Sequence, residues 1–432
     1  MAEILPFRAW RYNDDLGKKI GELTSPLFDV VSEKQREHLY QKEYNSIHIS
    51  VPKGISPAKN AGKLLDKWKK EGILKQDHIP SIYVYYQYFT LPGNPKEYCR
   101  KGFICFIRAY DWEENVILHH ENTMPHSVED RVTILENTQL NVSATHGLYT
   151  DESFELEKYL DESMANPLYE TEDYQGVRDM LGVIQDAKVI KKFIDKIKGQ
   201  TIILADGHHR YEGSIIYKQR QIEKNDHSTK HGYNYHMMFL TNSEAHDLRI
   251  LPTHRLIQGI EGLQEEQMLK DLEPYFTIKP VDNPDDINEI ILGKQWAFGL
   301  IFKENTYKIR LKPEVFNQLN WKFPEEIKKM DLTVLHFFVI EKVLGIPGLK
   351  QRGSRHIQFE RNFTHCLTNV LKGEAQLALI INDISMEDVK RVCHSGYTMP
   401  QKSTYFYPKV ICGFLFGSIL QHEFEPPPYF SL

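Results

Sequence analysis

Between residues 201 and 216 the chain switches period. TIILA (201–205) is the short, β-branched run of a buried strand. From His208 the spacing turns helical, with Tyr211, Ile215 and Ile216 on one face and Lys218, Arg220 and Gln221 on the other. Asp206 suits a helix N-cap and Gly207 permits a tight turn, so strand passes to helix with almost no loop. Such a unit belongs in a layered α/β or α+β chain. Its charges are out of place. A helix start is the positive end of the dipole, where cations are disfavoured by roughly 0.3–1 kcal/mol each and anions are favoured. His208, His209 and Arg210 stand there, which is sensible if something negative belongs in front of them.

The alternation runs the length of the chain. IHISVP (47–52), SIYVYYQYFT (81–90) and GFICFIRAY (102–110) read as strands, and NAGKLLDKWKKEGIL (60–74) as a helix. Residues 116–139 read as a short strand, a turn at Pro125 and a helix capped at Ser127, with Val128, Val132 and Leu135 as its stripe. Residues 150–200 are acidic and helical in character, and EKNDHSTKHGYN (223–234) is the natural linker. Further strands are expected at 235–242, 248–257, 296–302, 306–312 and 375–383. Helices are expected near 331–345 and from Ser385 to Gly396. VICGFLFGSIL (410–420) is too short for a bilayer, which needs about 20 residues, and reads as a buried strand or helix. The expectation is a mixed α/β chain in three successive regions: a β-rich 1–115, a core over 116–225 and an α/β region over 235–432.

A net charge of −6 over 432 residues argues against a general nucleic-acid binder. Small anions remain possible, because local donors override a global sign. The five cysteines form no CxxC pair, and MAEILPFRAWRYNDD has no apolar stretch of signal-peptide length, which together fit a reducing cytoplasm. No membrane partner is expected.

Three clusters carry chemistry. Asp206-Gly207-His208-His209-Arg210 reads as an oxyanion site, helix amides and Arg210 gripping a phosphate or carboxylate. The bland alternative is a capped helix with a surface ion pair. His119-His120-Glu121-Asn122-Thr123 lacks the HExxH spacing of a zinc protease, and reads as a glutamate placed to take a hydroxyl proton or as a charged loop. Lys402-Ser403-Thr404, in a Pro-bounded loop, is a phosphate clamp without the glycines of a P-loop, or a packed loop with a solvated lysine. Together they supply a base, charge-neutralising donors and phosphate contacts, the requirements of phosphoryl transfer.

The landmarks PFRAWRYN (6–13), FDVVSE (28–33), YNSIH (44–48), HENT (120–123), EDR (129–131), ADGHHRYE (205–212), LPTHR (251–255), DLTVLH (331–336) and MPQKSTYFYPK (399–409) resemble the domain of unknown function 1015 family. The His-Glu pair, the DGHHR turn and the late hydroxyl loop are also similar to the free serine kinases of the ParB/sulfiredoxin-like fold, although Gln401 stands between Pro400 and Lys402. That resemblance implies a ParB/sulfiredoxin-like core with an N-terminal β-rich extension and a C-terminal α/β half. It implies a phosphotransferase on L-serine or O-phosphoserine, in either direction, with ADP or ATP and Mg²⁺. Glu121, Asp206 and His209 become catalytic, with Asp206 also the Mg²⁺ ligand. Gly207, His208, Arg210, Lys402, Ser403 and Thr404 become phosphate or nucleotide contacts, and His120, Thr123 and Arg131 substrate contacts. The alternatives are a nucleotide-binding regulator without chemistry and a nucleotide-independent phosphoserine phosphatase.

Overall fold

The computed structural model describes residues 1–91, 94–224, 231–399 and 402–424. Its architecture is mixed α/β, as the alternating periods require. The chain forms two compact units, each discontinuous: residues 1–119, 123–248 and 408–432 in the first, and 120–122 and 249–407 in the second. The three successive regions expected above are not the observed division, because strands from before and after residue 116 hydrogen-bond within one sheet.

In the first unit the strands are Ile4–Leu5 (β1), Ile82–Leu91 (β2), Asn94–Arg108 (β3), Ile117–His119 (β4), Thr145–Tyr149 (β5), Tyr169–Glu172 (β6), Arg178–Ile184 (β7), Ile202–Asp206 (β8) and Tyr235–Asn242 (β9). Their order is β4-β8-β5-β9-β3-β2-β7-β6, with β1 on β3. Both faces are covered. Ile82, Val84 and Tyr86 enter one core with Phe103, Cys105 and Ile107, while Tyr83 and Tyr85 enter the other with Ile104 and Phe106. Side chains alternate across a sheet, so a strand buried on both sides reads as a continuous apolar run. Ala187–Ile197 (α1) packs Ile190, Phe193, Ile194 and Ile197 on one face. His208–Glu223 (α2) adds Tyr211 and Ile215 there.

Several local expectations are corrected. Residues 47–50 are helical, because Asn45 Oδ1 accepts from Ile47 N at 2.9 Å while Asn45 Nδ2 donates to Glu22 O and Thr24 O. That local turn chemistry overrides β propensity. Residues 150–200 contain β6 and β7 as well as helices. The helix after the HENT turn is Pro125–Thr138, starting on Pro125 rather than capped by Ser127, and Val128, Val132 and Leu135 are buried as expected. Lys218, assigned to the polar face, is buried, donating to Ala109 O at 2.8 Å. Residues 410–420 are largely buried but mostly irregular, with one two-residue strand at Gly417–Ser418. Much of the linker at 223–234 lies outside the described residues.

The second unit holds a six-stranded sheet of His254–Ile257 (β10), Phe276–Val281 (β11), Ala297–Ile301 (β12), Thr306–Leu311 (β13), Ile357–Glu360 (β14) and Leu377–Ile380 (β15), ordered β11-β13-β12-β15-β10-β14. The helix Met386–Ser395 is capped by the Ser385–Asp388 box and closed by Gly396 at φ +70°, as its sequence indicates. Among the described residues no helix is long and apolar enough to cross a membrane.

Candidate functional site

In the first unit, β8 ends at Asp206 and α2 begins at His208. Gly207 between them holds φ +92°, and a Cβ there would lie 2.6 Å from Thr145 Cγ2 and 2.8 Å from Arg210 Nη2. Only glycine fits such a turn. Gly207 therefore takes the N-cap position expected for Asp206, whose carboxylate has stronger partners. Lys409 Nζ donates to Oδ1, and Arg210 Nη2 donates to Oδ2 at 3.0 Å. Burial alone would raise the Asp206 carboxyl, but Lys409, Arg210 and His208 outweigh it and hold it well below the usual range.

Arg210 is anchored further, through Nη1, to Ser143 Oγ at 2.9 Å and Ala144 O at 2.7 Å. Lys409 and Arg210, both largely buried, thus face a single carboxylate. A third cation extends the cluster. Arg100, 2% exposed, donates to Gln87 Oε1 and Pro408 O. Gln87 Nε2 in turn reaches Lys409 O at 3.0 Å and Asp179 Oδ1 at 2.8 Å. Burial pushes the Asp179 carboxyl up to about 7, against the hydrogen bonds of Tyr85 and Gln87. His146, joined to Thr241 Oγ1 at 2.7 Å, is pressed well below its usual pKa by burial and then Arg100.

The other residues expected in this unit point elsewhere. His209 Nε2 accepts from Met124 N at 3.0 Å, so its proton sits on Nδ1, and burial lowers its pKa. Thr123 Oγ1 donates to Glu212. Arg131 pairs with Asp130, donates to Ser50 O at 3.0 Å and lies over the Phe28 ring.

In the second unit, residues 120–122 contact Thr398, Met399, Ser403 and Thr404. Glu121 bridges Met399 in parallel, and Met399 N donates to His120 O at 2.8 Å. Glu121 Oε1 accepts from Ser403 N at 3.0 Å, Thr404 N at 3.2 Å and Thr404 Oγ1 at 3.2 Å. The Thr404 hydroxyl has one proton, so it accepts from His120 Nε2 at 2.7 Å. The segment expected as a phosphate clamp therefore presents its amides and hydroxyl to Glu121. Lys402, at φ +54°, is exposed, with Nζ 5.6 Å from the Phe359 ring centroid.

Sequence reasoning missed Lys409, quoted in MPQKSTYFYPK but passed over for Lys402, and Arg255 in LPTHR. Arg255 is fully buried, donating to Thr253 O and, through Nε, to His336 Nε2 at 3.2 Å. Burial pushes it down to about 9, against the nearby Glu121. Arg255 lies within β10, and nothing in its sequence neighbourhood marks it as buried.

Magnesium does not fit Asp206. Both carboxylate oxygens take cationic donors, and a hard divalent cation there would meet Lys409 and Arg210. Among the described residues no group of three or more His, Cys, Asp or Glu side chains could hold a metal ion.

Among solved structures, a free serine kinase in complex with AMP is 11% identical, with a TM-score of 0.37, covering 74% of this chain and 93% of that one. A conserved hypothetical protein from Pyrococcus furiosus is 13% identical, with a TM-score of 0.35, covering 71% of this chain and 93% of that one. SbnI with a C-terminal truncation, from Staphylococcus aureus, is 12% identical, with a TM-score of 0.32, covering 76% and 89%. Likenesses this faint leave function to be argued from this chain's own side chains. No curated protein matches the sequence. Residues 4–333 match the family model described as protein of unknown function (DUF1015), and the chain belongs to that family.

Proposed function

We propose that the chain is a phosphotransferase acting on a free hydroxy amino acid, L-serine or its phosphate, with ADP or ATP as the nucleotide. One observation carries the reading: Lys409 and Arg210 share the Asp206 carboxylate at the start of α2. Two cations gathered at a helix start, where backbone N–H groups also point outward, are a setting that suits a phosphate. We read the DGHHR strand, turn and helix as the phosphate-binding part of a ParB/sulfiredoxin-like core.

Glu121 is the proton acceptor in this reading. Three donors on one oxygen fix its orientation, as a general base requires. The serine oxygen bonds to the terminal phosphorus as the bond from that phosphorus to the leaving phosphate breaks, and the hydroxyl proton passes to Glu121. His120 holds Thr404, and so acts through it as a positioning residue. No step is routed through a metal ion.

The purified protein, given L-serine and ADP or ATP, should form O-phosphoserine, read by mass spectrometry. Failure with both nucleotides, in the forward and the reverse direction, would sink the reading.

A further inference from the structure

The open face of the second unit's sheet gathers four cations. Strands β11 and β13 pair so that Lys279 stands directly opposite Lys308 and Thr277 opposite Arg310; opposed residues share a face. With Lys312 and Glu314 they line a groove of about 500 Å³. Among the described residues none of the four cations pairs with a carboxylate. Arg310 Nε and Lys312 Nζ donate only to the backbone oxygens of Gln295 and Glu273.

A lysine on an edge strand can serve simply to block sheet-to-sheet association. That accounts for Lys279 on β11, the edge. It leaves Lys308 and Arg310, one strand further in, unexplained, and like charges directly opposed weaken a ladder. The Lys308 ammonium is lowered by burial and then by Lys294, Lys279 and Arg310, a sign of positive charge with nothing to answer it.

We infer that this groove binds an oligophosphate, a ligand carrying two or more linked phosphate groups. The volume falls within the range of small-molecule sites, roughly 300–1,000 Å³. Alternate residues of a strand lie about 7 Å apart, so Lys308 and Arg310, with Lys279 opposite, form a row of cations long enough to meet successive linked phosphates. Four cations against Glu314 leave a net charge of +3, of the sign and order that a short phosphate chain answers. None of the groove residues belongs to the Asp206 or Glu121 clusters, so the inference stands apart from the phosphotransferase reading.

The test is calorimetric titration of the full chain with inorganic tripolyphosphate at low salt. The expected result is saturable binding, weakened about tenfold or more in Lys308→Glu/Arg310→Glu, whose solvent-facing changes leave the circular dichroism intact, and retained in Lys409→Met. Tighter binding of ATP assigns the ligand to nucleotides, and tighter binding of tripolyphosphate to inorganic chains. Binding unchanged in the charge-reversed variant, or absent from the wild type, overturns the inference. So does a short single-stranded oligonucleotide that outcompetes tripolyphosphate at equal phosphate concentration, which would mark the groove as a nucleic-acid surface.

Discussion

Lys409 donates to Asp206 across 203 residues of sequence, and Arg210 shares the same carboxylate from four residues away. A short-range pair would have held Asp206 unaided. The long-range lysine adds a second cation to that carboxylate, tying the segment after residue 408 to the end of β8.

Lys409→Met should cost about 2–4 kcal/mol in chemical denaturation, less than an orphaned carboxylate would, because Arg210 remains on Asp206. Lys409→Met/Asp206→Asn should cost less than the two single changes added together. Strict additivity would show that the pair has no energetic coupling.

Glu121→Gln keeps a carbonyl oxygen to accept from Ser403 N and Thr404 N, so folding should be nearly unaffected. Phosphoserine formation should fall by roughly 10²–10⁴-fold, the usual cost of a lost general base. Turnover equal to wild type would remove Glu121 from the mechanism.

Gly207→Ala combines a positive φ with contacts inside 3 Å to Thr145 and Arg210. A loss of roughly 1–3 kcal/mol is expected. Thermal unfolding with and without phosphate should also show a smaller stabilisation by the anion, because the helix start and Arg210 are displaced together.

The second unit should be labile to acid. Burial and then Arg255 push His254 down to about 4 and His336 down to about 3. Both lie below the unfolded value of about 6.5, so the unfolded chain takes up protons that the folded one refuses. Their contribution is full above pH ~6.5 and is lost as pH falls toward 4, at about 2 kcal/mol each by pH 5. Asp331 and Asp383, raised by burial, act in the opposite sense, but neither is enclosed as the histidines are. Hydrogen exchange across 331–343 should accelerate between pH 7 and 5; unchanged protection would contradict the assignment of neutral, buried imidazoles.

What the sequence disclosed follows the range of the forces involved. The helix from Met386 to Ser395 was legible to the residue, because the Ser385 box and Gly396 act within one turn. In the large sheet β2, β8, β9 and the C-terminal part of β3 were legible as apolar runs, since burial on both faces leaves no polar alternation to hide them, whereas β5, β6 and β7 were not read as strands. IHIS misled, because the hydrogen bonds of Asn45 to Glu22 and Thr24 carry no signature in the four residues they bend. The DGHHR turn was recognised while the cation that answers Asp206 was not. Lys402 and Lys409 look alike in one loop, and only folding shows Lys402 over Phe359 and Lys409 against a carboxylate. Glu121 was singled out, whereas Arg255 was not, because a fully buried arginine is indistinguishable in sequence from a surface one.

The first unit takes its last segment from residue 408 onward. On the ribosome, Asp206 and Arg210 emerge 203 and 199 residues ahead of Lys409, so the carboxylate first meets Arg210 alone and gains its second cation only after residue 409 has been made. A nascent chain halted anywhere before that point carries the helix start but not the lysine.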